Sequence, residues 1–290
     1  YDALAALVSP EDEVLIPVPY WVTYPEQVRL LDGVPVFVDP REGLKITPED
    51  LERNRSPRST VLLFNSPNNP TGAVYTPEEV EAITAWCVRN GVWILSDEIY
   101  NQLTYDGLPA LSPASLGPEA AARTVTVNGV SKSHCMTGWR IGFLTGPVEV
   151  VEAVLKFQGQ TTGNPAAVSQ AAALAALRGP QDDLLLMREA YQRRRNLLVE
   201  SLAGVPGVTL DVPQGAFYAF PGVSEASRAA GGSLALAARL IDSGVAMVPG
   251  VGFGLEHHLR ISFVVSDDRL REGLNRFKTG LAQLGAGAKG

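Results

Sequence analysis

The sequence of 290 residues predicts an α/β protein, a mostly parallel sheet flanked by helices and followed by a smaller C-terminal α/β domain. Three observations carry this expectation. Short, continuous apolar runs rich in β-branched residues recur at 14–18, 61–64, 92–95 and 124–127, in the manner of strands buried on both faces. Helical periodicity lies between some of them, and strand, helix, strand in that order implies right-handed crossovers and parallel neighbours. Beyond a further strand at 141–145 the pattern is helical, and it alternates again from Gly207 onward.

Residues 1–7 read as part of an amphipathic helix and lack the basic, apolar and cleavable character of a signal sequence. The clearest helix opens at Thr76-Pro77-Glu78-Glu79: Thr76 caps, Pro77 suits the first helical position and Glu79 completes a capping box. Val80, Ile83, Thr84, Cys87 and Val88 form one stripe at helical spacing, and Asn90-Gly91 supplies the stop. Helices follow at 148–157, 166–177 and 183–202. The last is expected to connect two domains and to expose Arg193, Arg194 and Arg195 as a solvated face. The segment 215–220, a helix near 233–243 and a strand at 259–265 make the second layer, and 284–290 is a small-residue tail expected to fray. The expected division is a large domain over 1–181, a connecting helix over 182–204 and a small domain over 205–290.

The composition, with 46% hydrophobic and 19% charged residues, argues against disorder and against a coiled coil. No apolar run approaches the roughly 18 residues that span a bilayer, so no membrane partner is expected. With 24 basic against 31 acidic residues the net charge is −7, and no Lys/Arg cluster interleaved with aromatics offers a nucleic-acid surface. An anionic ligand must therefore be held by a few local cations. Cys87 and Cys135 form no CxxC pair, which indicates neither a disulfide framework nor a zinc site and makes reducing cytoplasm the default. Cys135, His134 and the isolated His257-His258 pair are read as packing or structural residues, and no metal is expected.

In an open parallel sheet, ligands bind beyond the carboxyl ends of the strands. The residues just after the predicted strands are Pro19-Tyr20-Trp21, then Asn65 to Gly72, then Ser96-Asp97-Glu98-Ile99-Tyr100, then Asn128-Gly129-Val130-Ser131-Lys132. One edge thus gathers an aromatic face, an amide, a carboxylate, a phenol, a hydroxyl and an ammonium. Arg140 joins them if the strand it begins runs antiparallel. A lysine can form a Schiff base with an aldehyde, a carboxylate can keep a ring nitrogen protonated, and Ser with Arg can hold a phosphate. The set suits pyridoxal phosphate.

The chain resembles the fold-type I pyridoxal-phosphate enzymes of the class I/II aminotransferase family, nearest to the bacterial aspartate aminotransferase branch. The stretches that carry the resemblance are Pro19-Tyr20-Trp21-Val22-Thr23-Tyr24-Pro25, Asn68-Asn69-Pro70-Thr71-Gly72, Ser96-Asp97-Glu98-Ile99-Tyr100, the run from Ser131-Lys132 through Gly138-Trp139-Arg140-Ile141-Gly142, and Leu259-Arg260-Ile261-Ser262. They span nearly the whole chain in family order. The resemblance implies a three-layer large domain and a role for each matching residue. Lys132 carries the Schiff base, Asp97 pairs with the pyridine nitrogen, Tyr100 and Asn69 meet the ring's phenolic oxygen, Ser131 and Arg140 hold the phosphate, and Trp21 stacks on the ring. Arg260 grips the substrate carboxylate in a bidentate fork that a lysine could not reproduce.

Taken singly, each residue has an ordinary reading. Lys132 is a surface lysine, Asp97 a helix cap, Asn69 part of a turn, Trp21 and Tyr100 core aromatics, and Arg260 one half of a surface ion pair. Their convergence on one sheet edge is what outweighs those readings.

The implied activity is ping-pong transamination between an amino acid, with aspartate the branch's suggestion, and a 2-oxo acid, by a cytoplasmic homodimer. Two rivals use the same fold: a pyridoxal-phosphate-binding sensor domain of a transcription regulator, and a related C–S or β-lyase. The resemblance also implies an N-terminally incomplete pattern. Family members carry roughly a hundred residues before the point matching Tyr1, among them a Gly-rich turn whose helix N-terminus holds the phosphate. Residues 1–7 resemble the rest of that helix.

Overall fold

The computed structural model describes residues 1–287. In chain order the elements are α1 (Asp2–Leu7), β1 (Glu13–Pro17), α2 (Thr23–Arg29), β2 (Val34–Val38), α3 (Pro48–Asn54), β3 (Ser59–Asn65), α4 (Pro77–Asn90), β4 (Trp93–Asp97), α5 (Pro118–Ala121), β5 (Thr124–Gly129) and β6 (Gly142–Thr145). Then come α6 (Val148–Gln160), α7 (Ala167–Arg178), α8 (Asp182–Leu202), β7 (Tyr218–Ala219), α9 (Ser224–Ala230), α10 (Ser233–Asp242), β8 (Val248–Pro249), β9 (Leu259–Ser262) and α11 (Asp267–Gly287). The first six strands form one sheet in the order β2-β1-β3-β4-β5-β6, parallel except for β6, which runs antiparallel to β5. The last three form a small antiparallel sheet in the order β7-β9-β8.

The strands alternate between two cores, which explains their unbroken apolar runs. Leu15, Leu62, Phe64 and Ile94 meet Val80, Ile83, Trp86 and Cys87 of α4 on one face. Val14, Ile16, Val61, Leu63, Leu95 and Val125 meet Leu4 of α1, Val28 of α2 and Val150 of α6 on the other. Helices on both faces make three layers, as the sequence predicts. Each fully buried aliphatic side chain is worth about 1.5–3 kcal/mol of transfer free energy, so the central strands anchor the large layer. A third core joins α8, α10 and α11 to the small sheet and takes in Leu103 and Tyr105.

The capping box at Thr76 and Glu79 forms, and Gly91 ends α4 in the left-handed region at φ 69°. Helices α6, α7, α8 and α10 and strand β9 begin within one residue of the predicted starts. Strands β2 and β8 and helices α2, α3, α5, α9 and α11 were not foreseen. β2 is an edge strand interrupted by Pro35 and mostly half-buried, so it has neither a continuous apolar run nor clean alternation. Of the 215–220 stretch only Tyr218–Ala219 pairs as a strand. Helix α11 stays regular to Gly287, and the rest of the tail expected to fray lies outside the described residues.

Two expectations are corrected. Arg195 is not part of a solvated face: it is 3% exposed, its Nη2 donates to both carboxylate oxygens of Asp106 at 2.8 and 2.7 Å, and its Nη1 donates to Pro213 O. Arg193 and Arg194 both reach Asp267 instead. Cys135 is not a packed residue but an exposed one at φ 53°, with its Sγ 3.1 Å from Met187 Sδ. No described helix is long and apolar enough to cross a membrane.

Candidate active site

Parallel register brings the ends of β1, β3, β4 and β5 to one edge, and the antiparallel turn into β6, with Gly129 opposite Gly142, returns Arg140 to that edge. All eight residues singled out from the sequence line a single cavity of about 600 Å³ there. A shallow hollow of about 650 Å³ between α10 and α11 is lined by Asp242, Glu272 and Arg276, but Arg276 is already paired with Glu272, and no convergent chemistry collects there.

Asp97 closes β4 at the floor of the cavity. Its Oδ1 accepts from the Ile99 N–H at 3.2 Å, and its Oδ2 accepts from the Tyr24 phenol at 2.6 Å. Burial pushes its carboxyl above the ordinary range, while the Tyr24 and Ile99 hydrogen bonds and the charge of Lys132 pull the other way. Tyr24 was missed by sequence reasoning. It lies in the first turn of α2, three residues after Trp21, which precedes the helix, and no local pattern marks it as a partner of Asp97; the Trp21 and Tyr24 rings meet edge-on at 5.3 Å.

Asn65, at the end of β3, ties the neighbouring loop to β4. Its Oδ1 accepts from the Asn69 N–H at 2.9 Å and its Nδ2 donates to Asp97 O at 3.0 Å. This positions Asn69, whose Oδ1 accepts from Arg260 Nη1 at 2.9 Å and so leaves its Nδ2 to donate elsewhere. Tyr100 is buried, and burial followed by the neighbouring Tyr218 phenol raises its own phenol well above the usual range, so it stays a donor.

Lys132 follows β5 with its Nζ 5.8 Å from the centre of the Phe217 ring. Burial lowers its ammonium below the ordinary lysine value; Arg140 and Arg260 add to that and Asp97 opposes it. A lysine so placed holds a larger neutral fraction at a given pH. Arg140 sits in the left-handed region at φ 51°, and its Nη1 donates to Thr137 O, which folds the loop from Ser131 back on itself.

Arg260 enters from the small sheet on β9. Its guanidinium lies 4.4 Å from the Tyr218 ring centre and 5.0 Å from that of Phe253, and its buried Nε has no hydrogen-bond partner among the described residues. An orphaned buried donor is costly, so this arginine is held where its own side chain is not fully satisfied. Tyr218, on β7 of the same small sheet, was the second residue missed. His134 bonds Ser133 and Gln181 and does not line the cavity, and no metal-binding cluster of His, Cys, Asp or Glu occurs among the described residues.

The profile of the family described as "Aminotransferase class I and II" matches residues 2–277. An aspartate aminotransferase of Geobacillus stearothermophilus is 46% identical over 95% of this chain and 72% of its own length. An aspartate/prephenate aminotransferase of Cereibacter sphaeroides is also 46% identical, over 98% of this chain and 74% of its own length. Among solved structures, the aspartate aminotransferase of Thermus thermophilus with maleate superposes with a TM-score of 0.90 at 41% identity, covering 96% of this chain and 72% of that one. These relatives favour transamination over the sensor and lyase readings. The chain therefore belongs to the aminotransferase class I and II family, transferases that move an amino group between an amino acid and a 2-oxo acid.

Proposed function

We propose that the cavity binds pyridoxal phosphate and serves transamination of aspartate or a similar amino acid, with Lys132 as the catalytic amine. The observation that carries this reading is the convergence of Lys132, Asp97 and Arg260 on one cavity. The donor set fits the group: an amine of lowered affinity for protons, a carboxylate at the pocket floor, a hydroxyl and a guanidinium for a phosphate, and an arginine with an unmet donor for a carboxylate.

When bound, the cofactor supplies an aldehyde that condenses with amines and a ring that draws electron density when its nitrogen is protonated. Asp97 holds a proton on that nitrogen by opposite charge. Tyr100 Oη and Asn69 Nδ2 donate toward the phenolic oxygen, Ser131 and Arg140 hold the phosphate, and Trp21 covers the ring face. Arg260 docks the substrate carboxylate. With the cofactor bound, Lys132 Nζ would take the proton from the substrate Cα as general base and deliver it, as general acid, to the carbon that the cofactor's aldehyde contributes, and the reverse transfer would serve the second half of a ping-pong cycle.

The chain is read as one half of a cytoplasmic homodimer, with residues 1–181 and 205–290 as two domains joined by 182–204. Support for the dimer comes from apolar side chains left exposed on α6 and α7, among them Leu155, Val168 and Leu174; sedimentation at micromolar concentration tests it. For the activity, the test is Lys132→Ala with aspartate and 2-oxoglutarate. The variant is expected to keep its circular dichroism yet show no visible-absorption change when aspartate is added. Turnover near the wild-type rate in that variant overturns the assignment of Lys132.

A further inference from the structure

We propose that Tyr218 is a positioning residue whose ring holds the Arg260 guanidinium and whose hydroxyl holds the Tyr100 phenol, so that the carboxylate-binding group and the phenolic-oxygen partners of the site are set by one side chain. The proposal rests on the functional reading above.

The placement follows from register. β7 and β9 are antiparallel with Tyr218 opposite Ser262, so Tyr218 and Arg260 are diagonal neighbours on the same face of the small sheet. The guanidinium lies 4.4 Å from the ring centre, inside the range where a ring quadrupole attracts a cation. On its other side, Tyr218 meets Tyr100 edge-on with ring centres 5.9 Å apart, and the two hydroxyls share a hydrogen bond of 3.3 Å in which Tyr218 can donate, leaving the Tyr100 proton for the cofactor oxygen. Arg260 Nη1 in turn donates to Asn69 Oδ1. The four side chains form a chain of contacts, Asn69 to Arg260 to Tyr218 to Tyr100, whose two ends are the residues assigned to the same cofactor oxygen.

Tyr218 is also fixed independently of these partners. It is 8% exposed. The segment leading into it is tied to the Asn69 loop by the N–H groups of Gln214 and Gly215, both donating to Gly72 O at 2.8 Å. It is tied to the residues after Tyr100 by Ala216 N–H, which donates to Leu103 O at 2.8 Å. A side chain anchored to both loops can hold Arg260 and Tyr100 at a constant separation, whereas a core aromatic needs only one packing surface.

The experiment compares wild type, Tyr218→Phe and Tyr218→Leu in the full-length protein loaded with pyridoxal phosphate. Affinity is measured for maleate, a dicarboxylate with no amino or oxo group, and the visible absorption is titrated with pH without substrate. Phe keeps the ring, so maleate affinity is expected to stay within about threefold, while Leu weakens it about tenfold. Loss of the hydroxyl is expected to move the spectral pH midpoint by about half a unit in both variants. Equal maleate affinity and an unmoved midpoint in both variants overturn the assignment, even where thermal stability falls. A wild type that takes up no pyridoxal phosphate overturns the functional reading, and this assignment with it.

Discussion

The phenol of Tyr24 donates to Oδ2 of Asp97 at 2.6 Å, the short distance of a hydroxyl bonded to a carboxylate. That bond favours the charged form of an acid whose burial favours the neutral one. Removing it in Tyr24→Phe raises the Asp97 pKa, so the charge is lost at higher pH as the solution is acidified. The acid limb of kcat/KM is therefore expected to move upward by about one pH unit, with the alkaline limb unchanged. A pH–rate profile superposable on wild type would mean that Tyr24 only packs.

The lowered affinity of Lys132 for protons can be read without cofactor or turnover. In the unloaded protein, an acylating reagent at mildly alkaline pH is expected to modify Lys132 ahead of exposed Lys156, as followed by peptide mass spectrometry, because only the neutral amine reacts. Arg140 is one of the cations that lowers it, so Arg140→Ala raises the Lys132 pKa and slows its labelling at fixed pH. Faster labelling in Arg140→Ala would contradict the sign.

Arg260 is held by an amide at one nitrogen and by two aromatic rings, which leaves a planar fork for a carboxylate. A lysine keeps the charge but loses the fork and most of the ring contact. Arg260→Lys is expected to raise KM for both the amino acid and the oxo acid by about 10- to 100-fold, with cofactor uptake within a few-fold of wild type. Equal losses in substrate and cofactor affinity would remove Arg260 from the substrate side of the cavity.

The parts of the site legible in the sequence are those that local rules determine. Asp97, Ser131 and Lys132 follow apolar runs, and parallel pairing then carries strand ends to one edge whatever the loops do. Tyr24 was hidden because its use depends on the angle at which α2 leaves β1. Tyr218 was hidden because its contacts, to Tyr100 118 residues away and to Arg260, arise from tertiary packing, and unlike Arg260 it lies in none of the stretches that carry the family resemblance. Arg195 looked solvated for a similar reason: its partner Asp106 lies 89 residues away, and no helical periodicity records an ion pair between layers. β2 failed for a different cause, since an edge strand with a proline satisfies neither strand pattern.

Gly72 joins the two layers of the site, and its replacement tests how much of the geometry depends on that contact. It sits at φ +72°, and a Cβ built on it would lie 2.7 Å from Pro213 Cβ, 2.8 Å from Gly215 O and 2.9 Å from Tyr218 O. Two of those three are backbone atoms that cannot swing aside. Gly91, at φ +69°, has nothing within 4 Å of the same position, so Gly91→Ala carries the backbone penalty alone. Urea unfolding is expected to show a loss of about 1 kcal/mol for Gly91→Ala and about 2–5 kcal/mol for Gly72→Ala, the difference being the steric part. Gly72→Ala is further expected to weaken maleate binding, because the loop it displaces carries Asn69, which holds Arg260. Equal stability losses in the two variants would show that the 213–218 segment yields freely, and with it the contact that fixes Tyr218.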